Sequence, residues 1–375
     1  MNVGIDASRI ALTEERTGTE NYTLNLIESI KKLDKVNKYT LYFNKLPQYF
    51  EIAHANVSTR YIPLTRLWTQ FRLALECIVN PPEILFVPAH TIPVIRRPNL
   101  KTIVTVHDLG AEFLAEYHQF PQKIYLNWST KYVAKYATHI IAVSQSTKKD
   151  LIKQFKVSPK RITVVHEAVN TDLFYPREKT EVENVRKEFG LKRPYLLFVG
   201  TIQPRKNLLS LIEAFSKLKT KNIDLVLAGK PGWLFEETYL APKKFGVGTR
   251  VKFLGFVPDE KLPALYSGAE IFVYPSLYEG FGLPILEAMA CGLPVLTSSA
   301  TSMPEVSGGN ALLVNPNKVT QITSGIEVLL RKKAKREQMV KKGLEWVKNF
   351  TWEKTARETI GVFEKVSKLY VAKRH

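Results

Sequence analysis

Two successive α/β domains, each built on a parallel sheet, are the fold class this sequence predicts, and three observations predict it. Short runs that are apolar along their whole length, such as Ile84–Val87 and Ile103–Val106, alternate with helical stretches. Strands of that kind belong to parallel sheets covered on both faces. The alternation then occurs a second time from Tyr195 onward, after an interval between Asn170 and Pro194 that is rich in Lys, Arg and Glu and lacks a strand-like run. A length of 375 residues is also long for one domain and comfortable for two. The expected division is 1–172 for the first domain, 173–193 for a linker, 194–350 for the second, and 351–375 for a closing helix. That helix packs on the second domain or crosses back to the first.

The first domain opens on NVGIDASRI, where Val3, Gly4 and Ile5 read as a short buried strand. A glycine-bearing loop and a helix follow, with Gly18 or Thr19 as cap and Leu24, Ile27 and Leu33 on an apolar stripe. Further strands are expected at Tyr39–Phe43, Ile84–Val87, Ile103–Val106 and Ile140–Val143, with helices at Gln122–Ala137 and Thr147–Phe155. In the second domain PYLLFVG, DLVLAG, VKFLGF, EIFVYPS and PVLTS are strands, and Leu208–Leu218 is an amphipathic helix. The chain after Pro316 is mostly helical. Its last segment has Thr351 as cap and places Trp352, Thr355 or Ala356, Ile360, Phe363 and Val366 on one face.

The stretch YEGFGLPILEAMACGLP in the second domain carries two carboxylates, Glu279 and Glu287, around a Gly-x-Gly turn. Pro284 suits a first helical turn, so a helix begins near Gly282 and presents an anion site at its N-terminus. A carboxylate beside a phosphate is repulsive unless it faces something neutral, such as sugar hydroxyls. The combination points to a phosphorylated sugar. Arg205 and Lys206 in VGTIQPRKN stand just after the first strand of this domain, at the edge where open α/β sheets bind ligands. Cations at a helix start oppose the helix dipole, which favours a ligand role, a diphosphate, over plain solvation. In the first domain His107 ends the strand of TIVTVHDLG and could donate to a sugar hydroxyl or a leaving oxygen. Gly18, after the first strand, leaves room for a phosphate to approach the backbone.

Other chemistries find no support. The GVG of Gly246–Gly248 precedes a strand instead of following one, so it is no dinucleotide fingerprint. No Walker sequence, no Asp-x-Asp pair and no His spacing suited to zinc occur. Cys77 and Cys291 lack metal-ligand spacing and read as reduced thiols of a cytosolic protein. The first twenty residues have no apolar core, so no signal peptide is expected, and no apolar run is long enough to span a bilayer. The net charge of +19 fits solvated charge, an anionic membrane surface or nucleic acid, and no nucleic-acid motif accompanies it.

The glutamates of EGFGLPILE, the PRKN segment, the HDL strand end and the GTENY loop together resemble the retaining glycosyltransferases of family 4. The similarity spans essentially the whole chain, and its E-x7-E element is highly specific. It implies the GT-B fold, in which two Rossmann-like domains face each other across a cleft, the first binding acceptor and the second the nucleotide sugar. By position, Glu287 matches the residue that binds the ribose and Glu279 the carboxylate that meets hydroxyls of the donor sugar. Gly280, Phe281, Gly282 and Leu283 match the loop near the diphosphate and sugar. Arg205 and Lys206 match the basic region that neutralises the diphosphate, and Gly18 the glycine loop facing the phosphates. His107 matches the histidine near the donor sugar and stands with Glu279 at the catalytic position. Val257, with Phe256 and Pro258, matches the segment around the base.

Where many members carry an arginine after the VG strand end, this chain has Thr201; a mannosyltransferase-like subgroup reading VGT…PRKN shares that feature. The resemblance thus implies hexose transfer, mannose favoured, from GDP-mannose or another nucleotide diphosphate hexose, with no cofactor and no metal. A front-face route, in which the leaving phosphate assists the acceptor, goes with it. The acceptor is a glycan or a lipid-linked sugar of cell-surface polysaccharide or glycolipid synthesis, and the expected place is the cytoplasm or the inner face of an anionic membrane. The segments Tyr61–Arg72 and Leu109–Pro121 are the expected acceptor loops. The alternatives are a non-catalytic nucleotide-sugar-binding or assembly subunit, and another GT-B enzyme such as a phosphorylase or epimerase.

Overall fold

The computed structural model describes residues 1–10, 18–45, 54–64, 67–110 and 122–371. They form two compact units. The first unit is a seven-stranded sheet made of β1 (Asn2–Asp6), β2 (Lys38–Phe43), β3 (Val57–Tyr61), β4 (Ile84–Val87), β5 (Lys101–Val106), β6 (His139–Ala142) and β7 (Ile162–Val164). The spatial order is β3-β2-β1-β4-β5-β6-β7, and every neighbouring pair is parallel. The second sheet has six strands: β8 (Tyr195–Val199), β9 (Asp224–Ala228), β10 (Val251–Gly255), β11 (Ile271–Tyr274), β12 (Val295–Ser298) and β13 (Leu312–Val314). Its order is β10-β9-β8-β11-β12-β13, again parallel throughout. Both are doubly wound Rossmann-like sheets with a reversal of strand order at their middle, beside β1 and β4 in one and β8 and β11 in the other.

The central strands are buried on both faces, as their unbroken apolar runs require: β4, β8, β9 and β11 are buried along their whole length. Three strands have no such signature in the sequence. VSTRY of β3 is mostly exposed, and ITV of β7 and LLV of β13 are three residues each; all three lie at sheet edges, where burial makes the smallest demand on composition. The interval between Asn170 and Pro194 is more structured than its charge suggests. Lys179–Glu188 is a helix of the second unit, whose main segment is Ala168–Thr351, and Arg177 donates its backbone N–H to Ser267 Oγ at 3.0 Å.

The closing helix Trp352–Val371 belongs to the first unit. Its Ala356, Val362, Phe363 and Val366 join one core with Tyr22, Leu26, Ile27 and Ile30 of the helix Gly18–Leu33. Phe363 meets Phe86 of β4 with ring centroids 5.2 Å apart. Thr355 Oγ1 also donates to the carbonyl of His166 at 2.9 Å. The helix therefore covers one face of the first sheet. Among the described residues, no helix is long and apolar enough to cross a membrane.

Candidate functional site

In the second unit the sequence-predicted residues gather at the carboxyl edge of the sheet, where β8 and β11 lie side by side. Beyond β8 the chain passes Gly200, then makes a short 3-10 turn, Pro204–Lys206, and reaches Asn207 in the left-handed region at φ 59°. Asn207 donates its amide hydrogens to the carbonyls of Pro275 and Pro316, at 3.1 and 2.8 Å, which pins this turn to the segment following β11. The backbone N–H of Leu277 donates to the Arg205 carbonyl at 2.8 Å. The two loops are thus tied by main chain and side chain before any ligand enters.

Arg205, Lys206 and Glu279 form one cluster on this frame. Lys206 Nζ donates to Glu279 Oε1 at 2.7 Å and to Tyr274 Oη at 2.5 Å, and Tyr274 Oη donates to the same Oε1 at 3.0 Å. Arg205 donates Nη1 to Glu279 Oε2 and, at 3.0 Å, to the Tyr278 carbonyl. Lys206 and Glu279 are both buried. Burial alone would raise the Glu279 carboxyl, but the charges of Arg205 and Lys206 outweigh it and hold the group below its ordinary value. The trio carries one net positive charge at neutral pH. The structure couples all three residues, because a buried carboxylate this close to two cations is stabilised by them.

From Glu279 the chain runs through Gly280 and Phe281 to Gly282, whose φ of 105° is a conformation that favours glycine. The helix Leu283–Ala290 starts there with Pro284 in its first turn, as the sequence predicted. Phe281 turns its side chain into the core, against Phe350 at 6.1 Å between ring centroids. Ser302, which nothing in the sequence singled out, donates to the carbonyls of Phe281 at 2.7 Å and Glu279 at 3.0 Å. Ser302→Ala removes the one hydroxyl donor that these two carbonyls share at a buried site, so a loss of about 1–3 kcal/mol in unfolding free energy is expected by chemical denaturation.

Glu287 lies one turn into that helix, partly buried, and accepts from Tyr266 Oη at 2.8 Å. Loss of hydration pushes its carboxyl up to about 7; the Tyr266 bond opposes the shift and the charge of Asp259 adds to it. Val257 is buried just past β10, and the neighbouring Phe256 is exposed with Lys230 Nζ 4.5 Å from its ring centroid. Gly229, Lys230 and Gly255–Pro258 thus complete the same sheet edge. Gly200 and Gly229 approach so closely that a Cβ on Gly229 would stand 2.0 Å from the Gly200 oxygen.

Gly18 and His107 belong to the first unit. Gly18 opens the helix Gly18–Leu33, exposed, with nothing within 4 Å of where a Cβ would stand. His107 sits at the end of β5. Its Nδ1 lies 2.8 Å from Glu167 Oε1 and its Nε2 lies 3.1 Å from the Pro88 carbonyl, so both ring nitrogens are engaged within the unit. Tyr22 packs edge-on against the ring at 4.6 Å. His90 Nε2 accepts the backbone N–H of His107 at 2.5 Å, and desolvation holds the His90 imidazole down at about 4, hence neutral. A cavity of about 330 Å³ borders His107 and His90 and is also lined by Arg9, Trp68, Gln70 and Ser129. Four of its lining residues, Leu67 to Gln70, come from the predicted acceptor segment Tyr61–Arg72; Thr65 and Arg66 of that segment lie outside the described residues. Of the second predicted loop, Leu109–Pro121, only Leu109 and Gly110 are described. Glu167, His90 and Arg9 were not foreseen, since single polar residues after short strands have no periodic signal.

Among the described residues no group of His, Cys, Asp or Glu is arranged to hold a metal ion. Residues 16–173 match the family model described as Glycosyltransferase Family 4, and residues 180–346 match that of Glycosyl transferases group 1. The chain is 36% identical over 271 residues to the O-antigen chain mannosyltransferase B of Escherichia coli, covering 70% of each. It is 32% identical over 292 residues to the serotype-specific mannosyltransferase WbdA of Escherichia coli, which covers 75% of this chain but only 34% of that one. In fold it is similar to a sucrose-phosphate synthase from Thermosynechococcus elongatus, with a TM-score of 0.76 over 99% of both chains at 21% identity.

Proposed function

The chain belongs to glycosyltransferase family 4 and is a glycosyltransferase, and from that premise we propose that it transfers mannose from GDP-mannose, with retention, to a glycan or lipid-linked acceptor at the cytoplasmic side of polysaccharide or glycolipid synthesis. The observation that carries the donor reading is the buried Arg205–Lys206–Glu279 cluster with its single net positive charge, set where β8 and β11 part. Departure of a nucleoside diphosphate builds negative charge, and fixed cations beside a helix start stabilise it without reorganising. Lys206 and Arg205 hold the diphosphate, Glu287 accepts from the ribose hydroxyls, and Phe256–Pro258 with Lys230 flank the base.

Glu279 acts as a ligand, not a base. A carboxylate held below its ordinary pKa binds a proton weakly, and three donors already occupy its oxygens. One acceptor direction remains for a sugar hydroxyl. Mannose is favoured by the relatives, both mannosyltransferases by name. The cavity beside His107 suits the acceptor, with Glu167 fixing the imidazole.

Thermal-shift measurement with GDP-, UDP- and ADP-sugars tests the donor. GDP-mannose at a hundred times its dissociation constant is expected to raise the Tm by about 5–10 °C, and the other sugars by less. A larger shift with another nucleotide sugar overturns the donor identity. Release of free nucleoside diphosphate with no acceptor requirement, or no release at all, counts against transfer and favours a non-catalytic subunit.

A further inference from the structure

We propose that the first unit carries a membrane-docking face that seats on anionic lipid and opens the cavity beside His107 toward the bilayer surface. The face is built from three pieces that the structure ties together. The π-helical turn Thr69–Leu73 runs into the helix Ala74–Val79, and Leu67, Phe71, Leu75 and Val79 repeat every four residues with their side chains in solvent; Phe71 is 62% exposed. Gln70 joins this stripe to the loop 91–97, donating to the Ile92 carbonyl at 3.1 Å and accepting from the Val94 N–H at 3.0 Å. Arg97 Nε also reaches the Ile78 carbonyl at 2.7 Å. That loop presents Val94 and Ile95, the latter 69% exposed.

On its other side the loop meets the helix Gln122–Tyr136 through Arg96, which donates to Tyr132 Oη at 2.9 Å and to the Tyr136 carbonyl at 3.2 Å. Trp128, Tyr132 and Tyr136 stack in a ladder there, with Trp128 and Tyr136 exposed. Exposed aliphatic side chains in a contiguous band, bordered by Trp and Tyr, are costly in water and suited to the interfacial zone of a bilayer.

Charge decides the occupant. The described side chains of residues 60–64, 67–80, 91–97 and 128–136 include six lysines and arginines (Arg60, Arg72, Arg96, Arg97, Lys131 and Lys135) against one acid, Glu76. Glu76 is itself paired with Arg60. A protein partner of ordinary surface gains nothing from such a rim, whereas anionic headgroups meet both the cations and the apolar band. The cavity shares Leu67, Trp68, Gln70 and Thr91 with the edge of this face, so a sugar held at a lipid headgroup would reach it without leaving the surface. Only this last step rests on the transferase reading; the docking itself does not.

Flotation of the full chain with phosphatidylglycerol-containing vesicles tests the proposal. Wild type is expected to float with these at low salt, to be released at high salt, and to stay behind with pure phosphatidylcholine. Phe71→Ser with Ile95→Ser, and separately Arg72→Glu with Lys131→Glu, should each lower partitioning about tenfold or more, while the thermal shift given by the nucleotide sugar stays unchanged. Absence of wild-type flotation on anionic vesicles overturns the proposal, as does unaltered flotation of the first variant. A wild-type dimer that the Phe71→Ser, Ile95→Ser variant converts to monomer, with flotation unchanged, would instead assign the face to a second copy of the chain. Failure of the donor shift with flotation intact would strike the transferase reading alone.

Discussion

Lys206→Met is expected to lower kcat/KM about 10²–10³-fold, the scale of losing one fixed group that stabilises developing charge. Methionine keeps most of the aliphatic stem, so packing against Gly200 and the Tyr274 ring is largely retained. Some stability is lost as well, because Glu279 keeps Arg205 and Tyr274 but forfeits its second cation. Breaking a buried ion pair from one side typically costs about 3–5 kcal/mol, most of it the penalty of the charge left behind. The double variant Lys206→Met, Glu279→Gln separates the two effects. Neutralising both members should recover much of the Tm while leaving turnover as low as in the single variant. Denaturation curves and steady-state rates on the three proteins make the comparison. If the double variant regained activity along with stability, the cluster would be a folding device and the diphosphate would have to be held elsewhere. Acid weakens the same cluster: a carboxyl whose folded pKa lies below its unfolded value contributes stability above the unfolded pKa of about 4.5 and loses it as pH falls through the folded one.

The second large effect concerns Glu287 and runs the other way with pH. Its carboxyl titrates near 7 in the free protein, and only the ionised form offers full acceptor strength to two ribose hydroxyls. Donor affinity should therefore rise as pH increases from about 6 to 8 and then level, with a change of about tenfold per unit on the acid side. Glu287→Gln should bind about 10–100-fold more weakly at pH 8, from the loss of charge-assisted bonds worth about 1.5–3 kcal/mol each, and show a flat profile. Calorimetric titration of both proteins at the two pH values reads this directly, and equal pH dependence in the variant would remove Glu287 from the ribose. The stability linkage has the opposite sign to that of Glu279. The folded state keeps a proton that the unfolded chain releases above about 4.5, so this contribution to stability is full at low pH and is lost as pH rises through 7. Binding the donor is what compensates it.

Much of this molecule was legible from residue order alone. Unbroken apolar runs such as Tyr195–Val199 can be satisfied only by burial on both faces, which dictates parallel sheets whatever else the chain does. Gly282 and Pro284 fixed the start of the helix that carries Glu287, because the first supplies a positive φ and the second needs no hydrogen-bond partner for its nitrogen. The edge strands β3, β7 and β13 escaped notice because little of their surface is buried and their composition is unconstrained.

What the tertiary structure alone decided is which groups touch. Arg205 and Glu279 are 74 positions apart, and no local rule states that β8 and β11 are neighbours. That adjacency joins Arg205, Lys206 and Glu279 in one charge cluster, while in the first unit loop closure engages both ring nitrogens of His107 with Glu167 and Pro88. Packing within the first unit likewise exposed Phe71 and Ile95 while burying Trp68, a division that helical spacing could not make. Periodicity reports how much of an element is buried; only strand order and loop closure report against what.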